Sequence, residues 1–225
     1  MSSVLSLLMF GFALGVRHAT DPDHVVAVGA IASRERSVRK ALLVGVSWGL
    51  GHALTVLLLG GAIVLLGLDI PPRLGLGMEF AVAMMLVLLG LHNMRLAVRG
   101  LRSAAEDGSH FPPANGERVP ALALRSLGVG VLHGLAGSAA VALLVVASSR
   151  DLGGVLAYLV VFGAGTIVGM VGLTSAFALP VVYASHRFEQ ARHSVVRVAG
   201  ALSVAFGLFL AYRVGIVEGL FTTVP

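Results

Sequence analysis

The 225-residue sequence has no cysteine, which excludes disulfides, thiolate-bound zinc, iron–sulfur clusters and thiol relay chemistry in any compartment. Charge is almost as scarce. Charged residues make up 12% of the chain against about a quarter in an ordinary soluble domain, while 57% is hydrophobic and mean hydropathy is +0.94. A soluble globular fold is therefore excluded. There is no Walker A sequence, so ATP-driven transport within the chain is not expected, and no His-Glu-x-x-His pattern of an intramembrane metalloprotease. The N-terminal apolar stretch Met1–Gly15 lacks a basic leader and runs into the most polar part of its own helix, so it reads as a retained helix.

What remains is apolar runs long enough to cross a bilayer, which needs about 20 residues per helical pass. Six are expected, over residues 3–33, 41–67, 77–98, 121–148, 152–180 and 194–217. The fold class is thus an all-α polytopic membrane protein. The polar stretch 99–120 reads as a mobile cytoplasmic loop between a first three-helix unit, 1–98, and a second, 121–225.

The basic residues flank these runs, so the pI near 10.7 reports membrane topology, and no nucleic-acid partner is expected. One side gathers Arg34, Arg36, Arg39, Lys40, Arg95, Arg99, Arg102, Arg118, Arg125, Arg187, Arg192 and Arg197, the other only Arg73, Arg150 and Arg213. The positive-inside rule then places the first, third and fifth loops in the cytoplasm and both termini outside.

The two halves repeat weakly. A shift of 115 positions lays Gly15-Val16-Arg17-His18 on Gly130-Val131-Leu132-His133, and a shift of 114 lays Trp48-Gly49-Leu50-Gly51 on Phe162-Gly163-Ala164-Gly165. Gly90-Leu91 and Gly207-Leu208 give a fainter third match. With three passes per half the second copy is inverted, and substrate would sit near the midplane between the copies.

Chemistry concentrates in the first span, at His18-Ala19-Thr20-Asp21-Pro22-Asp23-His24. One carboxylate at mid-membrane costs about 2.5–3.5 kcal/mol on insertion scales, so such a cluster must be paired, hydrated or liganded. Imidazole with carboxylate suits nickel, cobalt or zinc. Pro22 has no N–H for the carbonyl of His18, so the helix is expected to open there and let His18, Asp23 and His24 gather. His52, within Gly49-Leu50-Gly51-His52, and His133, within Leu132-His133-Gly134, are further candidate ligands; singly, each fits a helix–helix hydrogen bond equally well. His92 and Asn93 read as a lining or interfacial pair, and His110, His186 and His193 as loop residues.

These residues resemble the nickel/cobalt transporter family, whose first-helix signature has the form H-x4-D-H, matched by His18, Asp23 and His24. The Asp21-Pro22-Asp23-His24 version and the stretch from His133 to Ala140 look most like its NicO or urease-accessory branch. The family's second motif, Gly-His followed by hydroxyl residues, is only partly kept, since Gly51-His52 is followed by Ala53-Leu54-Thr55. The resemblance implies a secondary permease of the cell inner membrane and no enzyme. Its cargo would be Ni²⁺ or Co²⁺ with no tightly bound cofactor, its route would be lined by His18, Asp21, Asp23, His24 and His52, to which the reading of the fourth span adds His133, and its partners would be membrane lipid and urease or hydrogenase maturation proteins or a metallochaperone. Uptake is expected. The alternatives are efflux by proton exchange and a bis-His membrane haem protein; the carboxylates beside His18 and His24 speak against haem.

Overall fold

A computed structural model describes residues 2–35, 37–68, 71–107, 119–146, 152–185 and 189–222. These are helical, with no β-strand among them: α1 Ser2–His18, α2 Pro22–Ala32, α3 Val38–Thr55, a π turn Val56–Gly60, α4 Gly61–Leu66, α5 Pro72–Asp107, α6 Val119–Val146, α7 Leu152–Ser185, α8 Glu189–Tyr212 and a second π turn Arg213–Val217. Among the described residues five stretches are long and apolar enough to cross a bilayer: Val38–Leu66, Pro72–Arg99, Val119–Ala136, Gly153–Tyr183 and Ser194–Val217. The first pass is divided between two shorter apolar helices, α1 and α2. The chain is a polytopic membrane protein. Side chains that would be liabilities in water, such as Leu58, Leu88 and Leu124, point outward, as a lipid-facing surface requires.

The division of the first pass follows from Pro22. It sits at the first position of α2, where a missing N–H costs nothing, and Asp21 before it is extended at φ −62°, ψ 147°. α1 closes on tight turns, with Thr20 N donating to Arg17 O at 2.8 Å and Asp21 N to His18 O at 3.0 Å. The carbonyl that Pro22 cannot serve is thereby satisfied by Asp21. One sequence expectation needs correction at the other end of the first half: the apolar run ends at Arg99 much as expected, but the stretch from residue 99 does not begin as loop, because α5 continues to Asp107. Its extra turns, Leu101-Arg102-Ser103-Ala104-Ala105-Glu106, are largely good helix formers that need no membrane around them.

α5 packs along α8, α3 along both α6 and α7, and α1 along α7. Exchanging first span with fourth, second with fifth and third with sixth maps this pairing onto itself, and individual contacts obey the same exchange. A Cβ on Gly15 would strike Phe162 O and Thr166 N; one on Gly130 would strike the equivalents, Trp48 O and His52 N. Gly51 lies against Leu127 O, and its mate Gly165 against Phe12 O. Gly90 meets Gly200 O and Val204 N, while Gly207 meets Ala83 O and Val87 N. The halves are thus two-fold related, with the second inverted, and His18 and His133 are mates. Small residues let these backbones touch, as helix packing in lipid demands.

The C-terminal end of α2 is tied to α5. Arg34 Nη1 donates to Asn93 Oδ1 at 3.1 Å and Asn93 Nδ2 to Ala30 O at 2.5 Å, all three residues being buried. Asn93 is therefore a structural clasp and not an interfacial residue, whereas His92 is exposed.

Because Gly130 touches backbone and Gly75 faces open space, Gly130→Leu should cost about 3 kcal/mol or prevent accumulation in the membrane, and Gly75→Leu should be tolerated. Thermal unfolding in detergent, at matched expression, checks the contrast.

Candidate metal centre

The opened turn between α1 and α2 brings His18 and His24 to the same point, with ring centroids 4.9 Å apart. α3 supplies His52, whose centroid lies 5.1 Å from His18 and 5.2 Å from His24. α6 supplies His133, 4.6 Å from His24. Trp48, one turn before His52 on α3, stacks beside His24 and His133 at 6.3 and 5.2 Å. Four imidazoles from four helices thus meet around the break.

The carboxylates orient the rings. His18 Nδ1 donates to Asp21 Oδ2 at 2.9 Å, and His24 Nδ1 donates to Asp23 Oδ1 at 3.2 Å. With Nδ1 engaged as donor, each neutral ring presents the lone pair of Nε2 to the centre, the arrangement in which an outer carboxylate fixes the tautomer of a metal-binding histidine. His18 Nε2 lies 3.2 Å from His52 Nε2. The second oxygen of Asp23 lies 3.6 Å from His133 Nε2.

Two donor sets result, His18–His24–His52 and Asp23–His24–His133, each with its donor atoms within 4.8 Å of one another. A first-row ion bound at about 2.0–2.2 Å holds its donors about 4 Å apart or less, so sub-ångström adjustments close either set. His24 belongs to both. His24 Nε2, His52 Nδ1 and His133 Nε2 are buried with no hydrogen-bond partner among the described residues. Leaving such nitrogens unpaired is costly, on the order of 1–3 kcal/mol each, which marks the cluster as built for something other than packing.

A cavity of about 350 Å³ leads to this cluster. His18, Asp21, Asp23, His24 and His133 line it, with Glu79, Phe206 and Arg213 on the walls. Side-chain exposure falls from 48% at Asp21 and 52% at Arg213 to 2% at His24 and 1% at His133, so the imidazoles form its floor. His52, fully buried, lies beyond that floor.

All six sequence-derived candidates therefore meet at one place, though not in one role. Asp21 holds His18 and contributes no donor to either set. Of the histidines expected in loops, His110 and His186 lie outside the described residues, whereas His193 belongs to the first turns of α8 and not to a loop. Sequence reasoning missed Glu79 and Trp48. Glu79 carried a signal, being an acid seven residues into an apolar helix; Trp48 carried none that separates it from core.

Comparison with known proteins gives the cluster its context. The NicO family, described as high-affinity nickel-transport protein, matches residues 4–110. A urease accessory protein, UreH, of Bacillus sp. (strain TB-90) is 33% identical over 222 residues, covering 97% of this chain and 96% of the relative. The chain belongs to the NicO family. No solved structure matches it. As a NicO protein it is a membrane transporter of nickel and not an enzyme. The matched stretch contains His18, Asp21, Asp23, His24 and His52, whereas His133 lies beyond it.

Asp21→Asn in this NicO protein keeps the side-chain shape but loosens the grip on the His18 tautomer. Nickel affinity should fall about 10- to 100-fold, as for other outer-shell carboxylates, with the protein still folded. Equilibrium binding of Ni²⁺ to purified protein measures it.

Proposed function

We propose that the chain is a secondary permease carrying Ni²⁺, and also Co²⁺, inward across the cell inner membrane, with His18, Asp23, His24, His52 and His133 as the ligands along the route and Asp21 as the carboxylate that orients His18. The observation that carries this reading is the convergence of unpaired, buried imidazole nitrogens at the floor of an open cavity.

The two donor sets act as successive stations. Asp23, His24 and His133 receive the ion; His24 then swings its coordination to the set with His18, which also lines the cavity, and His52, which lies beyond its floor. A shared ligand avoids a fully unliganded intermediate, which mid-membrane would be costly. The donors are nitrogen and oxygen, which favours nickel and cobalt over soft Cu(I) or oxygen-seeking Mg²⁺.

In this reading residues 1–98 and 121–225 are the two transport repeats joined by the cytoplasmic stretch 99–120, with both termini outside and the cavity opening outward. The cytoplasmic side is closed by α2, held through Ala30 and Arg34 to Asn93. Release inward requires that clasp to part, so that the halves exchange roles about their two-fold axis. The driving force is the membrane potential: a divalent ion crossing about 100 mV gains about 4.6 kcal/mol. The metal then passes to urease or hydrogenase maturation proteins or a metallochaperone. Haem is disfavoured because a 3.2 Å separation of His18 Nε2 and His52 Nε2 leaves no space for a porphyrin between them.

Radiolabelled nickel uptake into proteoliposomes tests this. An inside-negative potential should drive accumulation in wild type, cobalt should compete, and His24→Ala should abolish uptake while His92→Ala leaves most of it. Near-normal uptake by His24→Ala at matched protein level contradicts the mechanism, and accumulation that follows an imposed proton gradient instead of the potential reassigns the chain to exchange-driven efflux.

A further inference from the structure

Glu79 lies on α5, seven residues from its start at Pro72, half-buried in the cavity wall above the histidines. A carboxylate within a membrane pass is expensive unless it is paired or faces water. Glu79 makes no hydrogen bond or ion pair among the described residues. The charges around it are Glu218, Arg213 and Asp23. Arg213, the one cation among them, also lines the cavity, yet its Nε is bound to Glu218 Oε1 at 2.6 Å. The cavity consequently presents a negative wall and, at its floor, His24 Nε2, which is buried and has no hydrogen-bond partner among the described residues.

We propose that Glu79 is the outer cation acceptor of the transport route: its carboxylate draws a hydrated divalent ion from solution into the cavity and passes it to Asp23 and His24, while Glu218 keeps Arg213 from neutralising it. This rests on the reading of the chain as a nickel permease. Low-dielectric walls of one sign focus the field and raise the rate at which a cation arrives, an effect that salt screens. Glu218 acts only through Arg213 and is a positioning residue.

Trp48 is the sole tryptophan, and it lies against His24 and His133, so bound Ni²⁺ should quench its emission. Stopped-flow quenching of the purified full chain by NiCl₂ therefore reads arrival directly. At low ionic strength Glu79→Gln should slow association roughly tenfold, at the low end of measured steering effects, with the final amplitude kept and the salt dependence flattened. Glu218→Gln, which frees Arg213, should slow it similarly, and adding Arg213→Gln to that variant should restore the rate.

An unchanged rate in Glu79→Gln overturns the proposal and leaves the permease reading intact. Where that variant fails to accumulate, equal rates for wild type, Glu218→Gln and the double variant overturn it instead. Absence of any Trp48 quenching by nickel in wild type removes both readings. Quenching that slows in Glu79→Gln, together with failure of nickel uptake into vesicles, upholds the acceptor and rejects the permease.

Discussion

The architecture depends on a helix that cannot continue. Pro22 removes one backbone donor at mid-membrane, where lipid offers no substitute, and the chain answers by ending α1 on tight turns and starting α2 with the proline at its first position. Three consequences follow at the same spot. His18 and His24, which a regular helix would hold on different faces, come together. The carbonyl end of α1 and the amide end of α2 both terminate at the cluster, giving a cation partial negative charge on one side and Asp23 a favourable first-turn position on the other. The opened turn also faces the cavity instead of lipid.

Two-fold architecture sets the background against which this asymmetry has meaning. Glycine contacts repeat between the halves, and His133 stands where the symmetry places the mate of His18. The second half, however, has Gly137 at the position of Pro22, and α6 runs unbroken from Val119 to Val146. It has Thr166 where the first has His52, and that hydroxyl is turned back onto its own helix at Phe162 O, 3.0 Å away. One half thus carries most of the candidate ligands while the other supplies a single imidazole and a matching scaffold. A site assembled between two such halves can be reached from either side by small rearrangements of rigid helices.

Much of this is legible in the sequence because its causes are local. Charge in an apolar run is costly enough to announce a site, proline fixes where the run breaks, and the Gly15–His18 and Gly130–His133 match survives as sequence because close backbone contact admits only glycine. The Gly90 and Gly207 match, too faint to stand on composition, is resolved by their equivalent contacts on α8 and α5. Other features are illegible because they depend on which helices meet. Nothing near Asn93 in the chain indicates that it clasps Ala30 and Arg34, some sixty residues away. The placing of Trp48 against two histidines and the pairing of Arg213 with Glu218 instead of Glu79 are likewise matters of packing. The continuation of α5 beyond Arg99 is illegible in the same way, because a helix leaving the membrane loses its hydropathy signal without losing its helical propensity.

In the permease proposed above, the carboxylate-oriented imidazoles of the broken first span and its neighbours bind the transported ion itself. Asp21 and Asp23 prepare lone pairs, and burial excludes competing water. X-ray absorption at the nickel edge, on purified protein loaded with one equivalent of Ni²⁺, observes that coordination most directly. The wild-type protein should show a first shell of nitrogen and oxygen at about 2.0–2.1 Å with the outer scattering pattern of several imidazoles, reduced in His24→Ala. A shell of oxygen alone, or one unchanged in that variant, would contradict it.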